Sequence, residues 1–145
     1  MTTAKLPVNG VTELVLEVTD LAVSERFYTE VLGLPVLERW VERKAVWVLA
    51  GDTRIGLWTP QVGIARSRPG VHVHFAIHVN EEDYDGVVAH LREHGQHVDE
   101  VEFGGQARSA YVEDPDQHIV EFWTWDATKP NLGAPRPLTE NVFGL

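Results

Sequence analysis

The sequence predicts an α+β fold assembled from two copies of one strand–helix–strand–strand–strand unit. Two observations predict it. The chain repeats its own pattern at a spacing of 61 to 64 residues, and each copy opens on a strand with one apolar and one largely ionisable face. The first copy begins Glu13-Leu14-Val15-Leu16-Glu17-Val18, the second His74-Phe75-Ala76-Ile77-His78-Val79. Glu13 and His74 are 61 residues apart, Gly33 and Gly95 are 62 apart, and Trp47 and Tyr111 are 64 apart. A repeat of that period marks one supersecondary unit used twice. The expected organisation is one domain over 1–145. It holds a first module at 9–60, a linker at 61–70, a second module at 71–126 and an extended proline-rich tail at 127–145.

Each element follows from its local pattern. In the first opening strand Leu14, Leu16 and Val18 share one face and Glu13, Val15 and Glu17 the other. In the second, Val73, Phe75, Ile77 and Val79 oppose His72, His74, Ala76 and His78. The apolar face of each strand can pack on a helix. The first helix has Asp20 and Ser24 as N-cap candidates, a stripe of Leu21, Phe27, Val31 and Leu34, and Gly33 at a left-handed C-terminal position. Strand-like runs follow at Ala45–Ala50 and 54–59. The linker contains Arg66, Arg68 and Pro69. The second helix has Asn80 as N-cap and Glu81, Glu82 and Asp83 in its first turn, where the helix dipole favours negative charge. Its stripe is Tyr84, Val87, Val88 and Leu91, and Gly95 ends it. Two more strand runs, 108–113 and 118–125, flank the turn Asp114-Pro115-Asp116. The tail, with Pro130, Pro135 and Pro137, is extended; it is either loose or strapped across a partner subunit.

Composition narrows the function. At 145 residues, 43% hydrophobic and 23% charged, the chain can bury a core and is not of disordered type. A net charge of −10 argues against nucleic acid and against anionic membrane surfaces. There is no cysteine, so disulfide and thiolate chemistry are excluded and any metal needs N and O ligands. No stretch approaches the ~20 apolar residues of a membrane span, and residues 1–10 lack a signal-type apolar segment. The expected location is cytoplasmic.

At this point the sequence resembles the vicinal oxygen chelate superfamily, which includes glyoxalase I, ring-cleaving dioxygenases, fosfomycin-resistance enzymes and bleomycin-binding proteins. The first-module resemblance lies in Val18-Thr19-Asp20-Leu21, Ser24, Phe27-Tyr28 and Val31-Leu32-Gly33-Leu34. The second lies in His74-Phe75-Ala76-Ile77 and Asp114-Pro115-Asp116-Gln117-His118-Ile119-Val120-Glu121-Phe122. Arg108-Ser109-Ala110-Tyr111 and Asp116-Gln117-His118 are most similar to fosfomycin-resistance proteins, in which the equivalent Ser and Tyr touch substrate. The resemblance implies a curved mixed sheet from two βαβββ modules closing into a glyoxalase-like cup around a divalent metal. It also implies a homodimer, in which modules of two chains can complete each other's cups. Carried over by position, the metal ligands are Glu13, His74 and Glu121. A fourth ligand, used by glyoxalase-like members, falls at Leu57, which cannot coordinate. Glu13 stands where dioxygenases and fosfomycin enzymes usually have His.

One imidazole and two carboxylates make a three-ligand site with open positions for water or substrate. The set suits Mn²⁺, Fe²⁺, Ni²⁺, Zn²⁺ or Mg²⁺ without choosing among them. A carboxylate that leaves the metal, Glu13 or Glu121, is a candidate general base. The plainer reading of Glu13 is a solvated strand carboxylate. Glu121 lies in an apolar run, where a bare charge would be costly. His72 and His78 are expected at the rim as substrate-binding or supporting groups, while His90, His94 and His97 face solvent and His118 is no ligand. Alternation places Trp47, Tyr111 and Trp123 on the faces carrying Leu57 and Glu121, with Trp125 beyond and Trp58 on the helix side. With Ser109, these aromatics form the expected substrate wall, or simply fill the cup. Arg108 falls on the face opposite Tyr111, so pairing with surface carboxylates is favoured for it. The leading expectation is a metal-dependent lyase or isomerase acting on a small oxygenated molecule. The alternatives are a metal-free protein binding a drug-like or aromatic ligand, and an extradiol-type dioxygenase.

Overall fold

The computed structural model describes residues 7, 9–60, 73–130 and 133–143. The linker expected at 61–70 and His72 lie outside the described residues. The first module runs β1 (Glu13–Glu17), α1 (Leu21–Arg26), a π-helical turn at Phe27–Val31, β2 (Val36–Trp40), β3 (Ala45–Ala50) and β4 (Thr53–Trp58). The second runs β5 (His74–His78), a 3₁₀ turn at Glu81–Asp83, α2 (Tyr84–Glu93), β6 (Asp99–Phe103), β7 (Ala107–Glu113) and β8 (Ile119–Trp123). A short β9 (Pro135–Pro137) follows.

The strands form two mixed sheets, ordered β1-β4-β3-β2 and β5-β8-β7-β6-β9. In each, the opening strand pairs parallel with the module's last strand and the other pairs are antiparallel. The same topology twice is the structural form of the sequence repeat. No helix among the described residues is long and apolar enough to cross a membrane.

Alternation decides which way each strand faces. Leu16 and Val18 are buried while Glu13, Val15 and Glu17 are exposed on the other face. In β5, Phe75 and Ile77 are half-buried and His74, Ala76 and His78 exposed. The inward residues of both modules join the helix stripes in one core, with Phe27, Tyr28, Tyr84, Val88 and Leu91 among Leu57, Val112 and Val120. At about 25 cal/mol per Å² of apolar surface removed from water, this shared core is what holds the modules together.

Polar contacts then fix their relation. Asp20 caps α1, its Oδ1 accepting from the Val23 N–H at 3.1 Å. Ser24, the other cap candidate, is instead buried within the helix. Asp116, from the β7–β8 turn, accepts from the Thr19 N–H at 3.0 Å and the Thr19 hydroxyl at 2.5 Å. Next to it the buried Asp114 accepts from Tyr28 Oη at 2.8 Å and the His118 N–H at 2.9 Å, with His118 Nδ1 at 2.7 Å. The Tyr28 phenol is pushed far above its ordinary pKa by burial and by Asp114, so it stays a donor. The tail adds β9 to the open edge of β6 in its own chain, in register Val101 to Pro137. The Phe143 N–H then donates to the buried Asp99 at 2.7 Å.

Candidate functional site

The face of each sheet that turns away from the shared core carries the chemistry. In the second module, register aligns Ala76, Glu121, Tyr111 and Asp99 across four strands, and His78, Trp123, Ser109 and Val101 in the next row. Cross-strand neighbours share a face, which is why residues far apart in the chain meet here.

Glu121 is the centre of that face. The residue is only 6% exposed. His74 Nε2 lies 2.7 Å from Oε1, and the Ser109 hydroxyl donates to Oε2. The His74 ring stands edge-on to Tyr111, with centroids 5.7 Å apart. Burial and the neighbouring Glu121 charge push the Tyr111 phenol up to about 12. Unpartnered, a carboxylate this buried would be costly; here it has an imidazole, a hydroxyl and a phenol around it. Asp99, two strands from Glu121, pairs with His97 at 2.6 Å and anchors the tail. Its place on this face was not foreseen from the sequence, although its alternation with Val101 in a strand would have put it there.

The first module's face is different in kind. Its rows are Glu13 with Arg54 and Leu49; Val15 with Gly56, Trp47 and Glu38; and Glu17 with Trp58, Ala45 and Trp40. The rings of Trp40, Trp47 and Trp58 meet edge to face, with centroids 5.0 to 6.1 Å apart. The Arg54 guanidinium lies 4.3 Å over Trp47 and pairs with Glu38 at 3.1 Å. Trp47 is buried beneath its neighbours at 1% exposure.

Two expectations from alternation are corrected here. Leu57 is on the helix side, fully buried in the core, and Trp58 is on the outer face beside Trp47. The first-module counterpart of Glu121 is therefore Gly56, which also has no donor. The reason is the connection length. Ala50 pairs with Thr53 across a two-residue turn, whereas Glu113 pairs with Ile119 across a longer one. The 64-residue spacing of Trp47 and Tyr111 accordingly becomes 65 for Gly56 and Glu121. A glycine inside a strand run, which often marks close approach to a backbone, was the signal available.

The remaining residues settle simply. Arg108 stacks over Tyr84 at 4.1 Å and pairs with Glu81 and Asp85 at 2.6 and 2.9 Å. His90 lies 2.7 Å from the Val31 carbonyl. Trp123 lines the face beyond Glu121, and His78 stands beside it.

His74 and Glu121 supply one nitrogen and one carboxylate oxygen donor at a shared point, which fits half of a divalent-metal site. Among the described residues, no three His, Asp or Glu side chains within one chain gather to hold an ion. Glu13 stands on the other module's sheet.

Solved structures of this shape are known. A lactoylglutathione lyase from Agrobacterium tumefaciens superposes with a TM-score of 0.70 at 22% identity, covering 82% of this chain and 96% of that one. The fosfomycin resistance protein FosX from Mesorhizobium loti gives 0.58 at 19% identity, covering 86% and 97%. The oxidase ChaP-H2 gives 0.63 at 22%, covering 83% and 96%. At these identities the likeness is one of fold. The sequence itself matches the model of the Glyoxalase/Bleomycin resistance protein/Dioxygenase superfamily over residues 10–122, and to that superfamily this chain belongs.

Proposed function

We propose that the protein is a divalent-metal-dependent enzyme acting on a small oxygenated substrate, with lyase or isomerase chemistry favoured over ring cleavage. The observation that carries this is the contact of His74 with the buried Glu121, held from behind by Ser109. His74 and Glu121 would hold the ion, with Glu13 as the third ligand; as no chain gathers all three, Glu13 comes from a second copy of the chain. A bound ion would supply Lewis-acid polarisation of a substrate oxygen. The chain's own residues do the rest. Ser109 fixes the rotamer of Glu121 by donating to Oε2. Tyr111, protonated at neutral pH because its pKa is about 12, is a donor aimed across the same row. A carboxylate that left the ion, Glu13 or Glu121, would be the candidate general base.

Metal content decides it. Protein purified without tag or chelator should retain about one divalent ion per chain after dialysis. Glu121→Gln should lose most of it. An unchanged content in that variant removes the proposal.

A second reading is favoured by one observation, the Trp40–Trp47–Trp58 cluster on the first module's face. Aromatic walls without a full ligand set suit a metal-free protein that sequesters a drug-like or aromatic molecule. Absence of retained metal after reconstitution with Mn²⁺, Ni²⁺ or Zn²⁺ would turn the choice to it.

A further inference from the structure

Beside Glu121 the second module's face opens into a cavity of about 510 Å³, walled by Ala76, His78, Trp123, Trp125 and Asp126. Ala76 is the register partner of Glu121, and Trp123 lies two residues further along the same strand face. The cavity therefore lies on the same sheet face as Glu121. Its walls are held in place. The Trp125 indole N–H donates to the Lys129 carbonyl at 3.0 Å, and Trp123 packs against Phe103 with ring centroids 6.0 Å apart. Asp126 Oδ1 accepts from the Thr128 N–H at 3.0 Å and hydroxyl at 2.7 Å. Those bonds hold its pKa below the usual carboxylate range, so a permanent negative charge stands at the exposed mouth.

Two indoles and a fixed carboxylate around one opening make a recognition pattern for a cation. We propose that this cavity takes the positively charged end of the substrate, a protonated or quaternary amine on a short apolar or aromatic body. Indole faces are the best aromatic partners for a cation. A carboxylate beside them adds a charge-assisted hydrogen bond where the amine carries N–H. A net charge of −10 raises the local concentration of cations and lowers that of anions. An anionic end would meet the Asp126 charge; His78 and Lys129 already lie close to that carboxylate, and Arg108 is engaged with Glu81, Asp85 and Tyr84. A neutral aromatic would gain nothing from the Asp126 charge. The proposal rests on the reading that this face is the substrate site.

The test uses three probes that share a phenyl group and differ in charge: 2-phenylethylamine, 2-phenylethanol and phenylacetate. Each is titrated calorimetrically into the full chain, with and without Mn²⁺. The amine should bind about tenfold tighter than the alcohol, and phenylacetate weakest. Asp126→Asn should bring the amine down to the alcohol's affinity and leave the alcohol unchanged. Trp125→Leu should weaken both. An alcohol that matches the amine, a tightest-binding phenylacetate, an amine preference that survives Asp126→Asn, or no binding by any probe overturns the proposal. Metal content of the same samples reports separately on the enzyme reading. Amine preference without retained metal keeps this site and removes that enzyme; retained metal without amine preference does the reverse.

Discussion

Position 56 has no room for a methyl group. A Cβ there would lie 2.7 Å from Trp58 Nε1 and 2.8 Å from the Trp47 ring, well inside van der Waals contact. Glycine lets the two indoles cross the strand, and the same choice leaves the first module without a side chain where the second carries Glu121. Gly56→Ala should destabilise by about 1–3 kcal/mol, seen as a lower urea midpoint at unchanged slope. A variant as stable as the parent would mean that the rings do not pack over that backbone. His118 makes a second prediction. Its hydrogen bond to the buried Asp114, opposed by its own burial, holds its pKa above the ordinary value. A folded-state pKa above the unfolded one means that protonation favours the fold. That contribution is complete below the unfolded value of about 6.5 and is lost as pH rises through the higher folded value. His118→Gln should therefore cost more stability near about pH 5.5 than near about pH 8.5. Equal losses in urea unfolding at the two pH values would contradict the coupling.

A six-residue helix such as α1 is too short to be stable alone, so its place depends on what grips it. Asp20 grips its start. Tyr28, in the π turn that prolongs it, is gripped by Asp114 from the other module. Asp20→Ala should cost about 1 kcal/mol, and Tyr28→Phe about 1–3 kcal/mol because a buried carboxylate loses a donor. Thermal unfolding of both variants checks the order; a larger drop in Tm for Asp20→Ala would reverse it. What was legible in the sequence follows the same division. Strand faces and helix stripes were readable because they depend on residues two to four apart. Leu14, Leu16, Val88 and Leu91 all lie where periodicity puts them. Register was not readable, because it depends on turn length. One residue in a connection moved the first-module cup position from Leu57 to Gly56 and brought Trp58 onto the outer face. The partners of Ser24 and of the tail were hidden for the same reason. They lie 92 residues away at Asp116 and 44 away at Asp99, distances over which a single sequence carries no pattern.

At the scale of the whole molecule, the two outer faces are unlike. The second module holds an imidazole–carboxylate pair; the first offers Glu13 and a wall of tryptophan. If the cup forms by apposing the first face of one chain with the second face of another, the protein is a homodimer, and each site takes ligands from both subunits. Sedimentation should then give twice the 16.3 kDa of one chain. Complementation tests the sharing more sharply. Glu13→Gln and Glu121→Gln homodimers should each retain little metal, since each spoils both of its sites. After unfolding and refolding an equal mixture, about half of the dimers are mixed, and in each of these one site draws Glu13 and Glu121 from unaltered positions on opposite chains. About a quarter of all sites should regain metal. Cups contained within single chains would regain none, because every chain in the mixture carries one of the two substitutions.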